Sequence, residues 1–302
     1  MSRETFRRTL RGKGPVSLKS SSAKRRESEI LHAARSPVIT VAPTTIIYDV
    51  VKIMASEGLR RIPIADPGAK TIAGIVTATD LVDYLGGGKK FEIIQQRFSG
   101  NIFKAINESV RLIMTQNVVS VKATAKIGDA VRLMKERKIG GLPVVDEENR
   151  VKAIITERDV VRIFADRISG VKVSQLMTRE VVTALPKTSV FEAEKTMVTE
   201  GFRRLPIVAE GKVLAMITAM DIVRFFGSGE VFKHLQSGTI TQVLNTPAIE
   251  IASKEIVTIE SEADVGQAAK IMMDKNLGAL PVVQKNRLEG IITERDFFKI
   301  ID

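Results

Sequence analysis

One segment occurs four times in this chain, and the repetition limits the fold more than any other feature. The copies run VITVAPTTIIYDVVKIMASEGLRRIPIAD from Val38, VVSVKATAKIGDAVRLMKERKIGGLPVVD from Val118, VVTALPKTSVFEAEKTMVTEGFRRLPIVA from Val181 and IVTIESEADVGQAAKIMMDKNLGALPVVQ from Ile256. Each continues into a short apolar run with Thr and then Asp: GIVTATD, AIITERD, AMITAMD and GIITERD.

The local pattern predicts β-α-β-β-α in each copy, a mixed α+β unit of about 50 residues. Val38-Ile39-Thr40-Val41 reads as a short strand. Ile46, Ile47, Val50, Val51 and Met54 share one helix face, as do Ile127, Ala130, Val131 and Met134. Pro63, Pro143, Pro206 and Pro281 then place the next apolar strand at a sheet edge or near its start. Met54, Met134, Met197, Met272 and Met273 read as core filler. A unit this small buries too little surface to stand alone, so the copies are expected to pack in pairs. The expected boundaries are a basic tail over 1–35 and repeats over 36–88, 113–166, 176–228 and 247–302, with connectors near 86–112, 167–175 and 228–250.

The copies alternate in kind. Repeats 1 and 3 share Gly-x-Arg-Arg-h-Pro (Gly58 to Pro63, Gly201 to Pro206), where h is apolar. Repeats 2 and 4 share Gly-[Gly/Ala]-Leu-Pro-Val-Val and Ile-Ile-Thr-Glu-Arg-Asp. This A-B-A-B order points to duplication of an already differentiated pair.

Charge and composition exclude several classes. The net charge is +11, but residues 1–35 hold ten Lys/Arg against three Asp/Glu, so the basic character belongs mostly to the tail. That tail, Ser-rich and without apolar periodicity, is expected to be disordered and carries no secretory signal. No apolar run is long enough to span a membrane, and a cytoplasmic location is expected. The chain has no cysteine, which removes disulfides, thiolate catalysis and zinc–thiolate sites. His32 and His234 lie far apart with no ligand pattern, so no metal or histidine acid–base site is expected. Two Tyr and no Trp argue against a stacking platform for single strands. Gly86-Gly87-Gly88-Lys89-Lys90 lacks the Ser/Thr of a phosphate loop after Lys90 and reads as a linker. Arg25-Arg26-Glu27-Ser28 has the form of a basophilic kinase target, a common match in basic tails.

The strongest chemical signal is Thr-x-x-Asp: Thr77/Asp80, Thr156/Asp159, Thr218/Asp221 and Thr293/Asp296. A lone copy would read as a helix cap. Four copies that keep both residues while neighbours vary point to ligand binding: a carboxylate beside a hydroxyl can accept from ribose hydroxyls, and a helix N-terminus favours anions. Arg60, Arg61, Arg203 and Arg204, just before the strand proline, are candidates for phosphate because guanidinium donates in a bidentate fork. Arg158 and Arg295, inside Thr-Glu-Arg-Asp, are secondary candidates.

With these residues in view, the region from about 36 to 302 resembles a tandem array of cystathionine β-synthase (CBS) domains. The markers are the apolar strand with its proline followed by G-h-h-T-x-x-D, four times over. An array with no attached enzyme or transporter is similar to the gamma subunits of AMP-activated protein kinase and to archaeal stand-alone CBS proteins. The resemblance implies four CBS repeats packed as two Bateman modules in a disk, and a non-catalytic regulator that binds adenine nucleotides (AMP, ADP or ATP). It implies ribose contacts at Asp80, Asp159, Asp221 and Asp296 with Thr77, Thr156, Thr218 and Thr293 alongside. Phosphate contacts fall to Arg60, Arg61, Arg203 and Arg204, with Arg158 and Arg295 secondary. Adenine packing falls to Ile75, Ile155, Ile217 and Ile292. The gamma subunit carries His-Arg where this chain has Arg-Arg, and repeats 2 and 4 have no basic pair there, so unequal occupancy is expected. A protein partner, such as a kinase or other regulated enzyme, is implied, and a homodimer is open. Two rivals stand beside this reading: a nucleic-acid scaffold using the basic tail, and a sensor of S-adenosylmethionine. An enzyme related to IMP dehydrogenase is disfavoured, because the chain has no barrel, nucleophile–base pair or loop cysteine.

Overall fold

The computed structural model describes residues 29–165, 167–229, 231 and 240–301. The basic segment 1–28, with Arg25-Arg26-Glu27-Ser28, and His234 lie outside the described residues.

Every repeat is built round one amphipathic helix: Ile47–Glu57, Ile127–Arg137, Val190–Glu200 and Val265–Asp274. Helices of this length are marginal in isolation, so the apolar stripe that docks them also maintains them. In repeat 1 the stripe is Ile47, Val50, Val51 and Met54; in repeat 2 it is Ile127, Ala130, Val131 and Met134. Met197 and Met272 take the same seat in repeats 3 and 4 and are buried, while Met273 is partly covered. Gly58 and Gly201 end the A-type helices at φ 63° and 71°, left-handed values that cost glycine little. Lys138 and Asn276 occupy the same place in repeats 2 and 4.

After the helix comes an antiparallel hairpin. The four are Arg61–Ala65 with Ile72–Thr77, Gly141–Val145 with Val151–Thr156, Arg204–Ala209 with Lys212–Thr218, and Ala279–Gln284 with Arg287–Thr293. All four carry a register shift at the same place, after Ile64, Val144, Ile207 and Val282. The expected first strand is much reduced. In repeats 1, 3 and 4 it is a single parallel bridge, Val41 to Ile64, Ala184 to Ile207 and Ile259 to Val282, and only repeat 2 keeps a strand, Val121–Lys122. Proline limits the ladder on one side in every repeat: the Val41 N–H donates to Pro63 O at 3.3 Å, but Pro63 has no N–H to return. On the other side the Ala65 N–H donates to Val41 O at 2.9 Å, and there only repeat 2 adds a second pair, Lys122 with Val145.

The repeats gather into two compact units, alternate with alternate. The A unit holds repeats 1 and 3, Ile39–Val118 and Val182–Ile256; the B unit holds repeats 2 and 4, Val119–Val181 and Val257–Asp302, with residues 29–38. Within the A unit the packing is reciprocal: helix Ile47–Glu57 lies on helix Ala219–Gly227, and helix Val190–Glu200 lies on the turn Asp83–Gly87. A Cβ added at Gly227 would stand 2.8 Å from the Ala55 Cβ, so glycine sets how near the first pair can come. Within the B unit, helix Val265–Asp274 packs on the turn Arg162–Phe164, and the rings of Phe164 and Phe297 meet with centroids 5.6 Å apart.

Two expectations about connections change. Residues 29–35, expected in the tail, join the B unit: Ile30 of helix Glu29–Ala33 is fully buried, and Arg35 bridges Ile154. The stretch from Gly86, expected to be a linker, begins buried: Gly86 and Gly87 close the turn Asp83–Gly87, and helices Phe91–Phe98 and Ile102–Ile106 follow. No described helix is long and apolar enough to cross a membrane.

Candidate functional site

The Thr-x-x-Asp motif has one geometry in all four repeats. Thr ends the second hairpin strand in extended backbone and serves as the helix N-cap; Asp is the third helical residue. The Thr amide donates to Asp Oδ2 at 2.9, 2.8, 2.9 and 2.8 Å in repeats 1 to 4, and the Thr hydroxyl donates to the same oxygen at 2.6, 2.7, 2.6 and 2.8 Å. In repeats 1 and 3 the Thr hydroxyl also accepts from the Asp amide at 3.2 Å, so there Thr caps the helix and Asp closes the capping box. One further bond fixes the junction: the amide after Thr donates to the carbonyl before the first hairpin strand, at 2.9 Å for Ala78 to Arg60 and Ala219 to Arg203, and 3.1 Å for Glu157 to Gly140 and Glu294 to Gly278.

The box uses Oδ2 and leaves Oδ1 for something else. Each Oδ1 faces a cation: Lys90 Nζ at 2.5 Å from Asp80, Arg162 Nη1 at 3.4 Å from Asp159, Arg224 Nη1 at 3.0 Å from Asp221 and Lys299 Nζ at 2.6 Å from Asp296. Burial pushes the Asp159 and Asp221 carboxyls up from the usual carboxylate range, against the pull of the Thr hydrogen bonds and the neighbouring arginine. The chemistry is that of a rigid carboxylate with one fixed oxygen and one that accepts from a positive or hydroxylic donor. These four cations were missed on sequence. Their signal was legible in three copies as a basic residue three after Asp (Arg162, Arg224, Lys299); in repeat 1 that position is Asp83.

The arginine candidates separate into two groups. Arg61 and Arg204 stand directly across the hairpin from Thr77 and Thr218, and the carbonyls of Arg60 and Arg203 tie down the same helix start, so all four backbones sit at the motif. Arg158 and Arg295 differ from expectation, since they link the two B-type repeats in a crossed pair. Arg158 Nε donates to Glu294 Oε1 at 2.9 Å, and Arg295 Nε donates to Glu157 Oε1 at 2.8 Å. Arg158 also reaches Asn276 Oδ1, and Arg295 donates to Lys138 O at 3.0 Å, which makes the arrangement nearly two-fold. The Glu157 and Glu294 side chains are 4% and 2% exposed, so the shared Glu-Arg forms a seam between the two repeats of the B unit.

The adenine candidates also divide. Ile155, Ile217 and Ile292 are fully buried, paired with Leu142, Leu205 and Leu280 in the cores. Ile75 is one residue out of step with them. Its counterparts are Ile154, Met216 and Ile291, on the other face of each hairpin, and the core residue matching Ile155 in repeat 1 is Val76. A period of two turns a one-residue slip into a change of face.

The sequence profile of the CBS domain matches residues 28–87, 110–166, 173–228 and 248–302. The chain belongs to the CBS-domain family. Among relatives of the whole CBS array, protein MJ1225 of Methanocaldococcus jannaschii is 38% identical over 269 residues, 88% of this chain and 96% of that protein. Its crystal structure, that of a protein proposed as an archaeal homologue of g-AMPK, superposes with a TM-score of 0.86 over 90% of this chain and 99% of that one, at 37% identity. A 33.4 kDa protein in the ribosomal RNA operon of Thermofilum pendens is 34% identical over 88% of this chain and 89% of its own length. The four repeats described above are thus four CBS domains of a chain similar to archaeal stand-alone CBS arrays.

Proposed function

We propose that this CBS array is a non-catalytic sensor of adenine nucleotides (AMP, ADP or ATP) in the cytoplasm that transmits its occupancy to a protein partner. The observation that carries the reading is the fourfold carboxylate: Asp80, Asp159, Asp221 and Asp296 each hold Oδ2 by Thr at a strand–helix junction and pair Oδ1 with a Lys or Arg that a ribose hydroxyl would have to displace. A pair of ribose hydroxyls satisfies such a group. In the A-type repeats the Arg60-Arg61 and Arg203-Arg204 pairs begin the strand beside it and supply the charge a di- or triphosphate needs. Similarity to a protein proposed as an archaeal homologue of g-AMPK supports the same assignment.

The signal is a population shift. A nucleotide favours one arrangement of the repeats by the difference between its affinities for the alternatives, and the partner reads that arrangement. Calorimetric titration of the full chain with AMP, ADP, ATP and S-adenosylmethionine tests the reading. Replacing Asp221 by Asn removes a charged acceptor worth about 1.5–3 kcal/mol and lowers affinity at that position about tenfold or more. Absence of binding by all four compounds to folded protein refutes it. Preference for S-adenosylmethionine replaces the nucleotide by another adenosyl ligand.

A further inference from the structure

Repeat 1 departs from the other three at its ribose carboxylate. Where repeats 2, 3 and 4 carry a cation three residues after Asp, repeat 1 carries a second acid, Asp83. The cation comes instead from ten residues downstream. Lys90 Nζ donates to Asp80 Oδ1 at 2.5 Å and to Ile113 O at 2.8 Å, while the Lys90 amide donates to Asp83 Oδ1 at 2.9 Å. Its counterparts Arg162, Arg224 and Lys299 are 63, 54 and 51% exposed; Lys90 is 27% exposed. Those three stand one helix turn after their own Asp, and Lys299 Nζ also donates to a distant carbonyl, Leu176 O, at 2.6 Å. Lys90 is held at both ends, by an acid at its backbone and by an acid and a carbonyl at its ammonium.

The glycines make this possible. A Cβ at Gly86 would collide with the Glu194 carboxylate, one at Gly87 would stand 2.7 Å from Glu194 O, and one at Gly88 would overlap Asp83 Oδ1. The neighbour of Gly87 is backbone, so the turn lies against helix Val190–Glu200 with no room for a side chain there, and the chain leaves it with Lys90 directed at Asp80.

We propose that Lys90 is a built-in lock on the nucleotide position of repeat 1: its ammonium takes the Asp80 oxygen that a ribose would use, and the position opens only when Lys90 withdraws. The proposal rests on the assignment of the four aspartates to ribose. It gives the chain one site whose filling requires the Gly86–Lys90 turn to move, rather than a side chain on the motif's own helix turn. A phosphate-binding role for Lys90 is the opposite claim, because it requires the ammonium to leave Asp80 and help the ligand.

Two measurements on the full chain separate these. Without nucleotide, brief modification by an amine-reactive ester, read by peptide mass spectrometry, compares Lys90 with exposed Lys89. The lock predicts Lys90 to react at least about tenfold more slowly, and Asp80→Asn to bring it towards Lys89; equal rates in the unaltered chain overturn it. Titration with ATP and AMP then compares the unaltered chain with Lys90→Met. The expected result is one additional or about tenfold tighter binding event in Lys90→Met, abolished in the double variant Lys90→Met/Asp80→Asn. Loss of a binding event in Lys90→Met overturns the lock and makes Lys90 a ligand contact. If no adenine nucleotide binds any variant, the sensor assignment fails, while the modification rates still decide whether Lys90 holds Asp80.

Discussion

Glu194 is fully buried on helix Val190–Glu200, at the position where repeat 1 has Val51, and among the described residues neither carboxylate oxygen has a hydrogen-bond partner. Burial pushes its carboxyl well above the usual range, so the folded protein holds it as the neutral acid. An unfolded chain releases that proton above about pH 4.5, the ordinary value for the group. The sign follows: the folded state binds the proton more tightly, so this contribution is fully present below pH 4.5 and is lost as pH rises towards the raised value. The loss runs at about 1.4 kcal/mol per pH unit. Replacing Glu194 by Val, the residue of the matching repeat, removes both this slope and the standing cost of an unsatisfied buried group, about 1–3 kcal/mol. At about 2–4 °C per kcal/mol for a unit of this size, Glu194→Val raises the melting temperature by several degrees at neutral pH. Thermal denaturation followed by circular dichroism from pH 4.5 to 8.5 gives the difference between the two proteins, from which all other titrating groups cancel. The expected difference is smallest at pH 4.5 and grows with pH. Parallel profiles, or a variant that melts lower at pH 8, would show that Glu194 is ionised and paired in the fold and refute the reasoning.

The B unit gives a prediction of opposite sign. Arg158→Ala leaves Glu294 buried without its Nε partner and is expected to cost about 3–5 kcal/mol in urea denaturation, whereas replacing Arg158 and Glu294 together by Met and Leu costs much less. Gly86→Ala drives a methyl into Glu194 and destabilises the A unit. Combining it with Glu194→Ala recovers part of the loss, and a double-mutant cycle on chemical denaturation midpoints gives a coupling above 0.5 kcal/mol; strict additivity would mean that the two residues do not touch.

What sequence made legible were features that recur at fixed spacing. The stripe through Met54, Met134, Met197 and Met272, the proline strand and the Thr-x-x-Asp junction all came from local periodicity, and each lies where that periodicity puts it. Three features did not follow from it. The first strand depends on how many bonds a proline-bearing neighbour can return, which is a property of the pair rather than of Val38–Val41. The isoleucine row does not lie on one face, because Ile75 is one residue out of column with Ile155, Ile217 and Ile292, and one residue decides between core and opposite face. Glu194 was legible in principle, as an acid in an otherwise apolar column with Val51, Val131 and Ala269, and only alignment of the copies by buried face displays it.

The alternation of repeat types is the feature whose meaning changes most. Read along the chain, A-B-A-B describes a duplicated pair and says nothing about why the types differ. The compact units supply a reason, because A-type repeats meet A-type and B-type meet B-type. When two near-identical units pack about an approximate two-fold axis, each residue at the seam meets its partner twice, so a favourable pair must be encoded in both copies. Arg158–Glu294 and Arg295–Glu157 are one interaction written twice, which requires Glu-Arg in repeats 2 and 4 and places no demand on repeats 1 and 3. In those repeats the same positions are Ala78-Thr79 and Ala219-Met220, and Ala78 and Ala219 are buried. A motif shared by alternate repeats is therefore ambiguous between a ligand and a seam, and geometry separates the two: Glu-Arg is spent across the seam, while Thr and Asp close on each other within one repeat and leave an oxygen for a donor. By that criterion the alternating Glu-Arg specifies how repeats 2 and 4 pack against each other.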